Sequence, residues 1–220
     1  MRARLIQATV AAVEDNKGVR GLSLRGIAKA AGCSHVNVYH YADGLEGLLW
    51  LAYSEALSSF TRAALDSIEG AKGGRSFGSL TAQAIVGFAL EREGLYRLLW
   101  FEDLPGAPSP DLWKEIAAAS KTYRLQVGKA LEREALPMPG AASVAGGSNS
   151  AGASRRPLGP DEAADYFFAY LQGEIALLLN GRLGPDRQAA AEALLARAGK
   201  VWTILVEARV AAGPGGREEV

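Results

Sequence analysis

The side chains able to do directed chemistry gather early in the chain, between Ser23 and Ala42. Both histidines of the 220-residue sequence, His35 and His40, fall there, with Asn37 and Tyr39 between them. Imidazole, carboxamide and phenol groups presented outward from one short helix reach base edges and phosphates. An Asn side chain pairs bidentately with adenine, each good contact of this kind discriminating by about 1–3 kcal/mol. His35 and Asn37, at the leading end, are therefore the candidate base readers, and Tyr39 and His40 the candidate phosphate contacts. Arg25 and Lys29 add positive charge nearby. Ser34 and the backbone N–H groups around it offer further phosphate donors.

Catalysis has no comparable centre. The sequence contains no Walker-type glycine loop, no His-Glu-x-x-His, no G-x-S-x-G and only one cysteine. Glu91/Glu93 and Glu132/Glu134 stand two apart on helical stretches, so each pair diverges. With both histidines in the early stretch, neither a triad nor a zinc set is expected elsewhere. The reading is a non-enzyme without cofactor or metal; a small all-helical enzyme ranks last.

These groups need elements to hold them. Leu24, Ile27, Ala28 and Ala31 recur at i, i+3, i+4 and i+7, so one stripe of a first short helix faces a core. Ser23 is its N-cap, and Gly32 supplies the left-handed exit. Ser34 caps a second helix, expected over His35–Tyr41, with Val38 and either Tyr41 or Ala42 inward. Two short helices around this break form a helix-turn-helix over about 23–42. A preceding helix is expected over Arg2–Asn16, closed by Lys17-Gly18. Its inner stripe is Leu5, Ile6, Thr9, Val10 and Val13, and the three helices are expected to enclose a small core of Ile6, Val10, Val13, Leu24, Ile27, Ala28 and Val38. Cys33 reads as a small buried residue of the turn rather than a redox switch.

Charge supports that placement. Residues 1–41 hold six basic and two acidic residues, a net of +4; the other 179 hold 18 basic and 22 acidic, a net of −4. A positive head on an acidic body suits phosphate contact although the whole chain is neutral. No apolar run approaches the roughly 18 residues that span a bilayer. The start reads as amphipathic helix rather than signal peptide, and a lone cysteine suits a reducing cytoplasm.

From residue 45 onward the periodicity stays helical. Helices are expected over 45–69, 77–92, 95–101, 110–135, 161–179 and 185–211, with Pro185 in the first turn of the last. Gly70–Gly74 should end the long helix at 45–69, a lever between head and body. A Gly/Ala/Ser/Pro-rich stretch over about 139–160, carrying Arg155-Arg156, reads as a flexible insertion. No segment sustains period-two alternation, so the fold class is all-α, with about nine helices: a head over 1–44 and a body over 45–220. In the body, Phe60, Trp100, Phe101, Trp113, Tyr123, Tyr166, Phe167 and Tyr170 are candidate linings of a pocket for an apolar or aromatic effector.

From about Arg4 to Leu49 the chain resembles the tetracycline-repressor-like (TetR) transcriptional regulators. The residues that carry the likeness are Leu22-Ser23-Leu24-Arg25-Gly26-Ile27-Ala28, Ala31-Gly32-Cys33-Ser34, Val38-Tyr39-His40-Tyr41 and Leu48-Leu49. Members usually carry an aromatic residue at the position of Ala42 and a basic one at Leu45. Residues 87–101 and 170–179 are also similar to the regulatory domain of one branch, which shows Trp-His-Gly where this chain has Leu171-Gln172-Gly173. The resemblance implies a homodimer joined through about 161–182 and 185–211, a pseudo-palindromic DNA operator, a small-molecule effector and a repressor's role. The rival reading is a helical ligand carrier that has lost specific DNA binding, motivated by Ala42, Leu45 and the zero net charge.

Overall fold

The computed structural model describes residues 1–69, 75–135 and 158–210. Among them are nine α-helices and no strand, as the periodicity predicts. In order they are α1 (Arg2–Asn16), α2 (Leu24–Ala30), α3 (His35–Val38), α4 (Gly44–Glu69), α5 (Phe77–Glu91), α6 (Glu93–Trp100), α7 (Pro110–Glu134), α8 (Pro160–Leu179) and α9 (Arg187–Val210). Gly70–Gly74, most of the expected insertion with Arg155-Arg156, and residue 211 lie outside the described residues. Leu158 and Pro160 do not belong to a loose insertion: Leu158 packs on the body core and Pro160 opens α8.

Several boundaries move for local reasons. Helix α3 ends at Val38 rather than Tyr41, and residues 39–41 form a turn. Two β-branched and two aromatic residues in seven give this stretch little helix propensity. The chain must also turn at Gly44, whose φ of 64° is left-handed. Helix α9 begins at Arg187, so Pro185 precedes it; the Asp186 carboxylate accepts from the N–H groups of Gln188 (2.9 Å) and Ala189 (3.0 Å). The left-handed residue that closes α1 is Lys17, at φ 52°.

Two hydrophobic cores divide the molecule, and they correct the expected head core. The head cluster consists of Leu5, Ile27, Ala28, Ala31, Val38 and Leu48, with Ala8, Ala12, Leu24 and half-buried Cys33 against it. Val10 and Val13 belong instead to the body cluster, and Ile6 packs against it. Helix α1 is apolar on two faces and lies between the cores. Helix α4 does the same, with Leu48 in the head and Leu49 in the body. A head this small buries little surface of its own, and these two shared helices supply its support.

In the body α5 packs between α4 and α9, and α7 runs along α8. The centre of the far end is Trp202, fully buried against Phe77 and Phe167. Its indole N–H donates to Glu134 Oε2 at 2.7 Å, while the other carboxylate oxygen of Glu134 accepts from the N–H of Phe77 at 2.8 Å. One acid thereby ties the end of α7 to the start of α5 and the middle of α9.

Candidate nucleic-acid interface and body cavity

In the head, the two serine caps form as their spacing predicts. Ser23 Oγ accepts from the N–H of Gly26 (3.2 Å), and Ser34 Oγ from the N–H of Asn37 (3.4 Å). Gly32 makes the turn between them at φ 69°. With Val38 buried as the anchor of α3, Ser34, His35, Asn37, Tyr39 and His40 are all exposed. Arg25, Lys29, Ser34 and His35 line one shallow hollow with Gly32 and Cys33, so the charged face of α2 and the leading end of α3 form one surface. Tyr39 is 62% exposed, an apolar ring held in water beside His40. Among the described residues no group of histidine, cysteine and acidic side chains is placed to hold a metal ion.

The body contains a cavity of about 280 Å³ walled by α4, α5, α6, α7 and α8. Its rings make a chain: Phe60 meets Trp100 at 5.8 Å, Trp100 meets Phe168 at 5.1 Å, and Phe168 meets Tyr123 at 5.6 Å. Leu57, Ile85 and Ile116 fill the gaps between them. Arg124 and Asp165, also on the lining, pair with each other at 2.8 Å, and Arg124 further reaches Ser120. Thr81 Oγ1, Trp100 Nε1 and Tyr123 OH, which belong to lining residues, are buried without a hydrogen-bond partner. Burial, reinforced by the charge of Asp165, pushes the Tyr123 phenol well above its ordinary value and keeps it protonated.

Head and cavity are connected through α1, α4 and α6. Helix α4 has Leu48 in the head core and Tyr53, Leu57 and Phe60 in the cavity wall. At 1.5 Å per residue the distance from Leu48 to Phe60 is about 18 Å. Helix α6 contributes Trp100 to the wall and presses its first turn on the end of α1. A Cβ at Gly94 would overlap the Val13 carbonyl and the Glu14 backbone, so only glycine permits this approach. Around it Arg92 pairs with Glu14, and Glu93 accepts from Lys17 (3.3 Å), Arg97 (3.0 Å) and Arg187 (2.9 Å).

No protein-family model matches the sequence, and no curated protein matches it. Solved structures do. A TetR-family transcription regulator from Marinobacter aquaeolei VT8, 21% identical, aligns over 91% of this chain and 94% of its own with a TM-score of 0.55. The chain has the TetR fold. NalD, the secondary repressor of the MexAB-OprM multidrug efflux pump in Pseudomonas aeruginosa, shares that fold at 18% identity over 91% and 96% of the two chains, TM-score 0.57. So does a protein of unknown function from Rhodococcus sp. RHA1, 23% identical over 92% and 95%, TM-score 0.66.

Within this TetR fold, the seven head candidates share one exposed region, whereas the eight aromatic candidates scatter. Phe60, Trp100 and Tyr123 line the cavity. Phe101 lies at the surface against Tyr96, while Trp113 and Tyr166 are 56% and 58% exposed. Phe167 is in the core beside Trp202, and Tyr170 is half-buried near the Arg197–Glu174 pair. The lining also includes Tyr53, Thr81 and Phe168, which were not expected. Phe168 had a signal: Ala164, Phe168 and Leu171 stand at i, i+4 and i+7 along α8. Thr81 had none, since a threonine in an apolar helix looks like filler. Leu45, at the position where a cation is usual, is half-buried and touches both cores, so it serves packing.

Proposed function

We propose that this chain is a ligand-responsive, DNA-binding transcriptional regulator of the TetR family, acting as a repressor, and not an enzyme. The observation that carries the reading is the coexistence of an exposed, doubly capped helix-turn-helix with an aromatic-lined cavity in the body, both anchored on α4. Two heads related by a two-fold axis would read a pseudo-palindrome with half-sites about one helical turn or more apart. His35 and Asn37 would contact base edges; Ser34, Tyr39, His40, Arg25 and Lys29 would hold phosphates.

A second copy would pack on α8 and α9. Tyr166, Ala169, Gly173 and Leu177 form an exposed stripe along α8, and Ile204 of α9 is 61% exposed. An apolar stripe with a glycine at its middle suits close helix-to-helix approach. A molecule in the cavity would change the head spacing through α4 and α6. Such a ligand shifts the equilibrium only by its differential affinity for the two head spacings.

Selection of binding sites from random duplex DNA tests this, using the purified protein beside a His35→Ala, Asn37→Ala double variant. An enriched palindrome lost in the folded variant is the expected result. Weak, sequence-independent, salt-insensitive association by a folded dimer would instead favour the ligand carrier.

A further inference from the structure

We infer that Val36 is a specificity residue of the reading helix and packs on the 5-methyl group of a thymine in the major groove. The inference rests on the regulator reading and adds to it one residue and the base it selects.

Folding gives Val36 little to do. Its side chain is 60% exposed, and among the described residues it belongs to neither hydrophobic core. A β-branched residue is also a weaker helix former than alanine. Single exposed apolar side chains are common on any surface and carry no message by themselves. The message here is in the placement.

Val38 is fully buried and anchors α3 in the head core. At about 100° per residue, Val36 lies about 200° round the helix from that anchor, so it points almost straight away from the head. His35 and Asn37 lie about 100° to either side of it. With those two on base edges, the side chain between them faces the floor of the groove. The helix is not free to roll and spare it: Val38 holds one side, and Ser34 Oγ accepts from the N–H of Asn37 at 3.4 Å.

What a valine can meet there is narrow. Base edges in the major groove carry hydrogen-bond donors and acceptors, and the apolar group among them is the thymine 5-methyl. Valine pressed on a purine N7, a carbonyl oxygen or an amino group would displace water and return no hydrogen bond. Against the methyl it removes apolar surface from water on both partners. Its branched Cβ already restricts χ1, so little side-chain freedom is lost in the contact. A 5-methylcytosine offers the same methyl; thymine is the source in unmodified DNA.

The test starts from the palindrome selected on random duplex DNA. Each thymine of a half-site is replaced in turn by deoxyuridine, which keeps the pairing and lacks only the methyl. At one thymine, uracil should weaken wild-type binding about fourfold per half-site, the worth of one buried methyl group, and about fifteenfold with both half-sites changed. Val36→Ala should lose most of that difference, binding the thymine site more weakly and the uracil site about as tightly as wild type does. Its thermal midpoint should not fall, because the residue is exposed and alanine is the stronger helix former. A lower midpoint with equal loss on both sites would make Val36 a structural residue and overturn the inference. Cytosine with and without a 5-methyl, paired with guanine at the same position, separates the two sources of the methyl. Thymine should bind more tightly than either; a preference for 5-methylcytosine would overturn the assignment to thymine. A half-site without thymine, or a thymine–uracil difference that survives Val36→Ala, overturns the inference and leaves the regulator reading standing. No enriched site from the folded protein removes that reading, and this inference with it.

Discussion

Head and body both present polar groups without protein partners, and the difference between the two sets is water. Asn37 and His40 are exposed, so solvent satisfies them at no cost until DNA displaces it. Thr81, Trp100 and Tyr123 hold theirs packed away from solvent, where a missing partner is a standing penalty of about 1–3 kcal/mol each. An exposed Asn therefore says little by itself; it gains meaning from the Ser34 cap and the buried Val38 that fix its direction. A buried, unpaired indole N–H says more, because solvent cannot complete it. The two regions should consequently fail in different ways when cut.

The largest expected effect tests whether the body carries the stability. Trp202→Ala removes a fully buried ring, its contacts with Phe77 and Phe167, and its hydrogen bond to Glu134. Loss of such a side chain costs about 3–5 kcal/mol, readable by denaturant unfolding. The DNA affinity of the folded fraction should stay unchanged, because Trp202 belongs to the body core and α3 is anchored in the head core. A parallel fall in affinity per folded molecule would break the separation of the two regions.

How much of this was legible in the sequence follows the same division. The serine caps, Gly32 and the Leu24–Ala31 stripe are local features; each is set by residues within four positions, so reading them needs no partner. Helix α1 is ambiguous in sequence because both its faces are apolar, and nothing local says that Leu5 belongs to one core and Val10 to another. On α8, Phe167 and Phe168 are neighbours of one type, yet one faces Trp202 and the other the cavity. Only the position of α7 and α9 decides between them. Glu93 looked like half of a diverging acid pair; its cations Lys17 and Arg187 come from helices distant in sequence.

An intermediate effect tests the seam itself. Gly94→Ala places a methyl group against the Val13 carbonyl and the Glu14 backbone, neither of which can rotate away. Overpacking of this kind costs about 1–3 kcal/mol. The expected signature is faster hydrogen exchange in α1, with α5 and α9 protected as before. Unchanged protection of α1 would mean that α6 does not brace the head.

The smallest effect concerns the charge cluster at that seam and appears as a dependence on pH. Burial raises the pKa of the Glu93 carboxyl, but hydrogen bonds and charge from Arg187, Arg97 and Lys17 outweigh it, and the net value lies below the ordinary 4.5. A depressed folded pKa means that the unfolded chain binds the proton first. The stabilisation is therefore complete above the ordinary value and is lost as pH falls through the folded one. Glu93→Gln should lower the thermal midpoint at neutral pH by removing the anion that joins α1, α6 and α9. The gap between wild type and variant should hold down to about pH 5 and then close as Glu93 itself is protonated. A gap that stays constant into the acid range would mean that the amide loses packing rather than charge. In that case Gly94 alone, and not the ion pairs around it, holds the head against the body.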